Sequence, residues 1–135
     1  MASPRRKQVR DRAGDCCEYC QLPQLGYDFS FHIDHVIARQ HGGRTEAENL
    51  ALACASCNRH KGPNIAGVDP VTRKLSALFH PRRERWQDHF EWQGLKAIGK
   101  TPTGRVTVQV LSMNNRDWIN IRRALFAEGL FPPNL

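Results

Sequence analysis

The sequence predicts an α+β fold, and three observations carry that reading. Two C-x-x-C pairs, Cys17/Cys20 and Cys54/Cys57, bracket a segment whose pattern runs strand, loop, strand, helix. Residues 101–129 carry two helical stretches with good start and stop chemistry. The chain has 135 residues, 40% of them apolar, which suffices for one domain with a modest core.

Residues 1–15 are polar and basic without an apolar period and read as a flexible arm. They lead into Gln8, Arg10 and Asp11 with no apolar stretch, so no secretory leader is expected and the protein is placed in the cytoplasm. Residues 16–62 hold four histidines, four of the five cysteines as paired knuckles, Asp34 and a Gly-Gly turn, and form the candidate active module. Aromatic and β-branched residues alternate through Phe29–Val36, predicting a half-buried strand over Ser30–Val36. Charges and the Gly42-Gly43 pair make 38–48 a loop; Asn49–Ala53 is a second short strand. A helix from about Ala55 to Lys61 should stop at Gly62-Pro63.

Residues 63–135 read as an accessory extension. Gly67 and Asp69-Pro70 predict a surface connection over 64–73, followed by a short strand at Leu75–Phe79. Asp88–Trp92 and Leu95–Ile98 flank Gln93-Gly94 as a hairpin, with Trp86, Phe90 and Trp92 in the core. The run 104–113 fits both periods, but Thr101 as cap and Pro102 at the first helical position favour a helix. Asn115 caps a clearer helix to Glu128, with Gly129 as its stop.

Lysine and arginine number 20 against 13 acidic residues, a net charge of +7, which points to a polyanionic partner such as nucleic acid. The longest apolar run, Leu50–Ala55, is far short of a membrane span, and mean hydropathy is −0.57. Two knuckles are the arrangement that supplies four thiolates in a tetrahedron around structural Zn²⁺; an iron site with the same ligands and a thiol redox pair are the competing readings. Cys16 lies outside the x-x spacing and reads as an incidental small residue.

Hydrolysing a phosphodiester requires a base for water and a cation to offset charge on the phosphate and the leaving oxygen. Asp34 and His35 supply both kinds of group, since imidazole is the side chain whose ordinary pKa lies nearest neutrality. Asn58 follows the second knuckle, and its amide oxygen is a hard ligand suited to Mg²⁺ or Mn²⁺; His60, two residues on, is the rival ligand and would suit Zn²⁺ or Ni²⁺. Arg39, Arg59, His60, Lys61, Arg82, Arg83 and Arg85 are candidate phosphate contacts, and His32 a candidate partner for the metal site.

Cys17–Gly62 resembles the zinc-knuckle branch of the HNH endonuclease family, whose pattern of C-x-x-C, D-H, G-G, N-L and C-x-x-C-N-x-x-K is present here in order. The resemblance implies a ββα-metal (His-Me finger) core and metal-dependent phosphodiester hydrolysis. It implies His35 as base, Asp34 and Asn58 as ligands of one catalytic divalent metal, and Asn49 as a clamp bonding backbone across the long loop. The leading expectation is a DNA endonuclease, monomeric or homodimeric. The alternative is a zinc-stabilised nucleic-acid-binding module without cleavage, and a third is an iron or redox protein.

Overall fold

The computed structural model describes residues 4–24 and 31–135. They form a small mixed α/β domain with three two-stranded antiparallel sheets among the described residues. Ser30, the expected start of the first strand, lies outside them.

Pro4–Ala13 is helix α1, which corrects the expectation of a flexible arm. It has no apolar stripe for sequence reading to detect; instead Val9 and Ala13 alone are buried, and guanidinium groups dock the helix on distant backbone. Arg6 donates to the Phe31 carbonyl at 2.7 Å, and Arg12 to those of Ala47 at 2.9 Å and Leu50 at 2.6 Å. Gly14, at φ +63°, ends the helix in the left-handed region.

Strand β1 (His32–His35) pairs with β2 (Leu50–Ala53), with Asp34 opposite Ala51 and His35 opposite Leu50. Helix α2 (Ala55–Lys61) follows β2 directly and has the bounds the sequence predicts. Its cap is Cys54, whose sulfur accepts from the Cys57 amide, and Gly62 closes it at φ +50°. β2 is buried on both faces, beneath α1 and beside the cysteine knuckles, and so reads as a continuous apolar run.

The 64–73 region is not a plain connection: β3 (Ala66–Val68) and β4 (Leu75–Ala77) make a hairpin in which Val68 faces Leu75. Three strand residues centred on Gly67 are too few, and too glycine-broken, to show a period. Gly67 is needed because a Cβ there would meet Val106 at 2.7 Å and Val110 at 2.9 Å, on helix α4 (Pro102–Val110). The hairpin loop is tied to the same helix. Asp69, fully buried, accepts both Nε and Nη2 of Arg105 at 2.9 Å and the amides of Val71 and Thr72. The guanidinium and those amides hold its carboxyl below the usual carboxylate range. The sign follows: a depressed folded pKa contributes stability above the unfolded value of about 3.9, lost as pH falls through the folded value. Asp69→Asn should therefore lower Tm at neutral pH, and the gap from wild type should narrow below about pH 4 in thermal melts across pH.

Short helix α3 (Trp86–His89) leads into β5 (Phe90–Gln93), paired with β6 (Lys96–Gly99). Phe90 is core, as expected, with Phe79 edge-on to it and Trp86 tilted over it; Trp86 and Trp92 are half-buried against that core and pack on each other at 5.4 Å. Thr101 caps α4 with Pro102 at its first turn, and Asn115 caps α5 (Arg116–Ala127).

Candidate functional site

The thiol cluster joins the two knuckles across the end of β2. Cys17, Cys20, Cys54 and Cys57 are buried, with sulfurs all within 4.8 Å of one another. The Cys20–Cys54 separation of 3.7 Å is close to the edge of about 3.8 Å expected for four thiolates about 2.3 Å from a zinc ion. Amide N–H groups of Cys20 and Cys57 point at the sulfurs of Cys17 and Cys54, and the Trp118 indole donates to Cys54 at 3.2 Å. This donor set fits structural zinc. Cys16 is outside the cluster, and burial beside Cys17 and Asp15 pushes its thiol up to about 11, which leaves it protonated and inert at neutral pH.

Beside the cluster lies an open concavity of about 350 Å³, lined by Asp34, His35, Arg39 and Asn58 together with Gly62 and Pro63. β1 supplies the first two side chains, the following turn Arg39, and the first turns of α2 Asn58. The strand ends at His35, so Asp34 and His35 both reach the hollow although successive strand side chains alternate. The Asp34 carboxylate accepts from the Tyr19 hydroxyl at 2.7 Å and from the Lys61 ammonium at 3.1 Å. Burial pushes this carboxyl up, against the opposing pull of Lys61 and Tyr19. His35 Nε2 sits 2.8 Å from Thr45 Oγ1.

Asn49 spans the loop between the strands. Its amide oxygen accepts from Ile37 N at 2.8 Å, and its Nδ2 donates to the carbonyls of Ile37 at 3.0 Å and Arg44 at 2.9 Å. Gly43 belongs to the same closure, since a Cβ there would lie 1.7 Å from the Ile37 oxygen. Asn49→Ala forfeits three hydrogen bonds and leaves loop groups unpaired; it should cost about 2–3 kcal/mol in denaturant unfolding.

Two candidate phosphate contacts are corrected by burial. Lys61 is 1% exposed, and its ammonium is spent on Asp34 and, at 3.1 Å, the His35 carbonyl. Arg82 is paired with Glu18, its side chain 13% exposed, and burial pushes its guanidinium down to about 10. His60 is absent from the concavity: its Nδ1 lies 2.8 Å from the Ser56 carbonyl on its own helix. Arg39, Arg59, Arg83 and Arg85 are exposed, as is His32, which does not line the hollow. Sequence reading missed Tyr19, which sits inside the first knuckle, and Thr45, an unremarkable loop residue; both are found only through their partners on β1.

Residues 17–64 match the HNH endonuclease family model. The matched segment contains both knuckles, Asp34, His35, Asn49 and Asn58. The chain is also 25% identical over 140 residues to the Septu protein PtuA of Bacillus mycoides (strain KBAB4), an alignment covering 83% of this chain and 19% of that protein. The chain therefore spans about a fifth of the length of the relative it matches. No solved structure matches it. Among the described residues, no helix is long and apolar enough to cross a membrane.

Proposed function

We propose that the protein is a metal-dependent endonuclease that hydrolyses DNA phosphodiester bonds on a ββα-metal core formed by β1, β2 and α2. The observation that carries this reading is the convergence of Asp34, His35, Asn58 and Arg39 on one open hollow, within the segment that matches the HNH endonuclease family.

Asp34 and Asn58 are the residues that would hold a divalent cation such as Mg²⁺, Mn²⁺ or Ni²⁺. The donor set fits: the second Asp34 oxygen has only a 3.5 Å contact with Lys61, and no described residue bonds the Asn58 side chain. The cation would supply charge compensation for the phosphate and the departing oxygen. His35 takes the proton from the attacking water. The Thr45 hydroxyl, 2.8 Å from Nε2 and able to donate or accept, orients the ring that serves as base. Asn49 keeps the loop that carries Thr45 closed through its bond to the neighbouring Arg44 carbonyl. Arg39 at the hollow's rim, with Arg59, Arg83 and Arg85, meets phosphates on either side of the bond to be cut.

The second reading, a zinc-stabilised nucleic-acid-binding module without cleavage, is favoured by one observation: the Lys61 ammonium already neutralises Asp34. Supercoiled-plasmid nicking separates the two. Protein stripped of loosely bound metal and reconstituted with Mg²⁺, Mn²⁺ or Ni²⁺ should nick. A folded, zinc-loaded protein that binds DNA and cuts with none of them would establish the binding module instead.

A further inference from the structure

The β3–β4 hairpin leaves one face unpartnered. Strand side chains alternate, so Gly67 and its partner Ser76 face helix α4, while Val68 and its partner Leu75 face away. Val68 is 53% exposed and Leu75 74%, and Val71 in the connecting loop is 68% exposed. Three large apolar side chains within the twelve-residue hairpin 66–77 differ from the scattered exposed residues that need no explanation.

The hairpin is also held firmly. Asp69 anchors the loop to Arg105 through two 2.9 Å bonds, and a Cβ at Gly67 would strike α4, so the apolar tip is presented on a braced support. Its charge is of one sign. Arg73 and Lys74 are exposed, and Asp69, the sole carboxylate between Arg59 and Arg83, is buried and paired. The hairpin begins three residues after Pro63, which lines the hollow containing Asp34 and His35.

We propose that this hairpin is a second contact for duplex nucleic acid, Val71, Val68 and Leu75 meeting base edges in a groove while Arg73 and Lys74 meet the backbone. A polyanion complements the two unpaired-sign cations, and apolar side chains flanked by cations are the combination used to press into a groove and against base steps. The inference rests on the nucleic-acid substrate argued above and extends the contact beyond the hollow.

The test is fluorescence anisotropy of the full chain with a labelled DNA duplex, without added divalent cation and at several salt concentrations. Arg73→Asn with Lys74→Gln removes only charge, asparagine being tolerated at the positive φ of position 73. It should reduce the slope of log affinity against log salt by about 2. Val71→Ser with Leu75→Ser should weaken binding about tenfold or more with the slope unchanged. Both pairs are exposed, and unchanged circular dichroism checks that each variant folds. Wild-type binding that neither variant alters would overturn the hairpin contact and leave the nuclease reading standing; no duplex binding by wild type would overturn both. A dimer seen in light scattering and abolished by Val71→Ser/Leu75→Ser, with DNA affinity intact, would assign the face to a second copy of the chain and overturn the proposal.

Discussion

His35→Ala should leave the fold and its zinc intact while lowering plasmid nicking by roughly 10²- to 10⁴-fold, the range lost with a general base. The structural side of that expectation comes from how little the ring holds up. The strand pairing of His35 with Leu50 is a backbone property, the Lys61 ammonium bonds the His35 carbonyl, and the imidazole itself has the Thr45 hydroxyl as its hydrogen-bond partner. Truncation to alanine therefore removes one exposed hydrogen bond, a loss of about 1 kcal/mol or less. The catalytic side comes from placement, since His35 shares the hollow with Asp34 and Asn58. Binding of uncut duplex should be nearly unchanged, which separates a lost base from lost affinity. Thr45→Val should give a smaller loss of nicking by freeing the orientation of the ring without removing it. Nicking by His35→Ala at the wild-type rate would transfer the base role to another group or discard hydrolysis altogether.

What the sequence makes legible here is local chemistry. Helix α2 is readable from its Gly62-Pro63 stop, α4 from Thr101 and Pro102 despite three valines that suit a strand, and α5 from Asn115 and Gly129; in each case the signal lies within a few residues of the helix end it marks. The knuckles are readable because tetrahedral ligation demands a short spacing that repeats. What was hidden depends on partners far along the chain. Helix α1 is held by guanidinium bonds to carbonyls 25 to 38 residues away, and so has no amphipathic pattern to betray it. Lys61 lies 27 residues from Asp34, and Arg82 64 residues from Glu18. A cation in sequence is taken as solvated by default, and only the fold shows that these two are buried against carboxylates. The error has a direction: a basic composition overstates the number of cations free to meet a phosphate.

The burial of Lys61 also explains how the site is kept ready. Asp34 is 7% exposed, and a buried carboxylate without a partner is costly. Tyr19 and Lys61 satisfy it from two sides, one from the first knuckle and one from the end of α2. The carboxylate that faces the hollow is thus positioned by the same two segments that supply the thiols.

That shared support is why Cys54→Ser should have the largest effect on stability of any single substitution considered. Cys54 is at once a cluster sulfur, the cap of α2 and the acceptor for the Trp118 indole of α5. Serine keeps a capping oxygen but removes a soft thiolate from the set. Structural zinc in small domains contributes apparent binding free energies of about 10–16 kcal/mol, comparable to or larger than the roughly 5–15 kcal/mol that separates folded from unfolded states. Losing the ion should therefore unfold the chain at room temperature, and a strong chelator should do the same to wild type. The measurements are metal content by mass spectrometry and a thermal melt by circular dichroism. Cys16→Ser is the control: also buried and one residue from a ligand, but outside the cluster, it should retain one equivalent of zinc and lose only about 1 kcal/mol. The contrast decides what holds the knuckles. If Cys54→Ser melted with Cys16→Ser, the four sulfurs would be ordinary core packing, and the two knuckles would be joined by the surrounding apolar core alone. If only Cys54→Ser unfolds, the metal is what ties the carboxylate of β1 to the amide of α2, and nicking should be lost with zinc even though no zinc ligand enters the hollow.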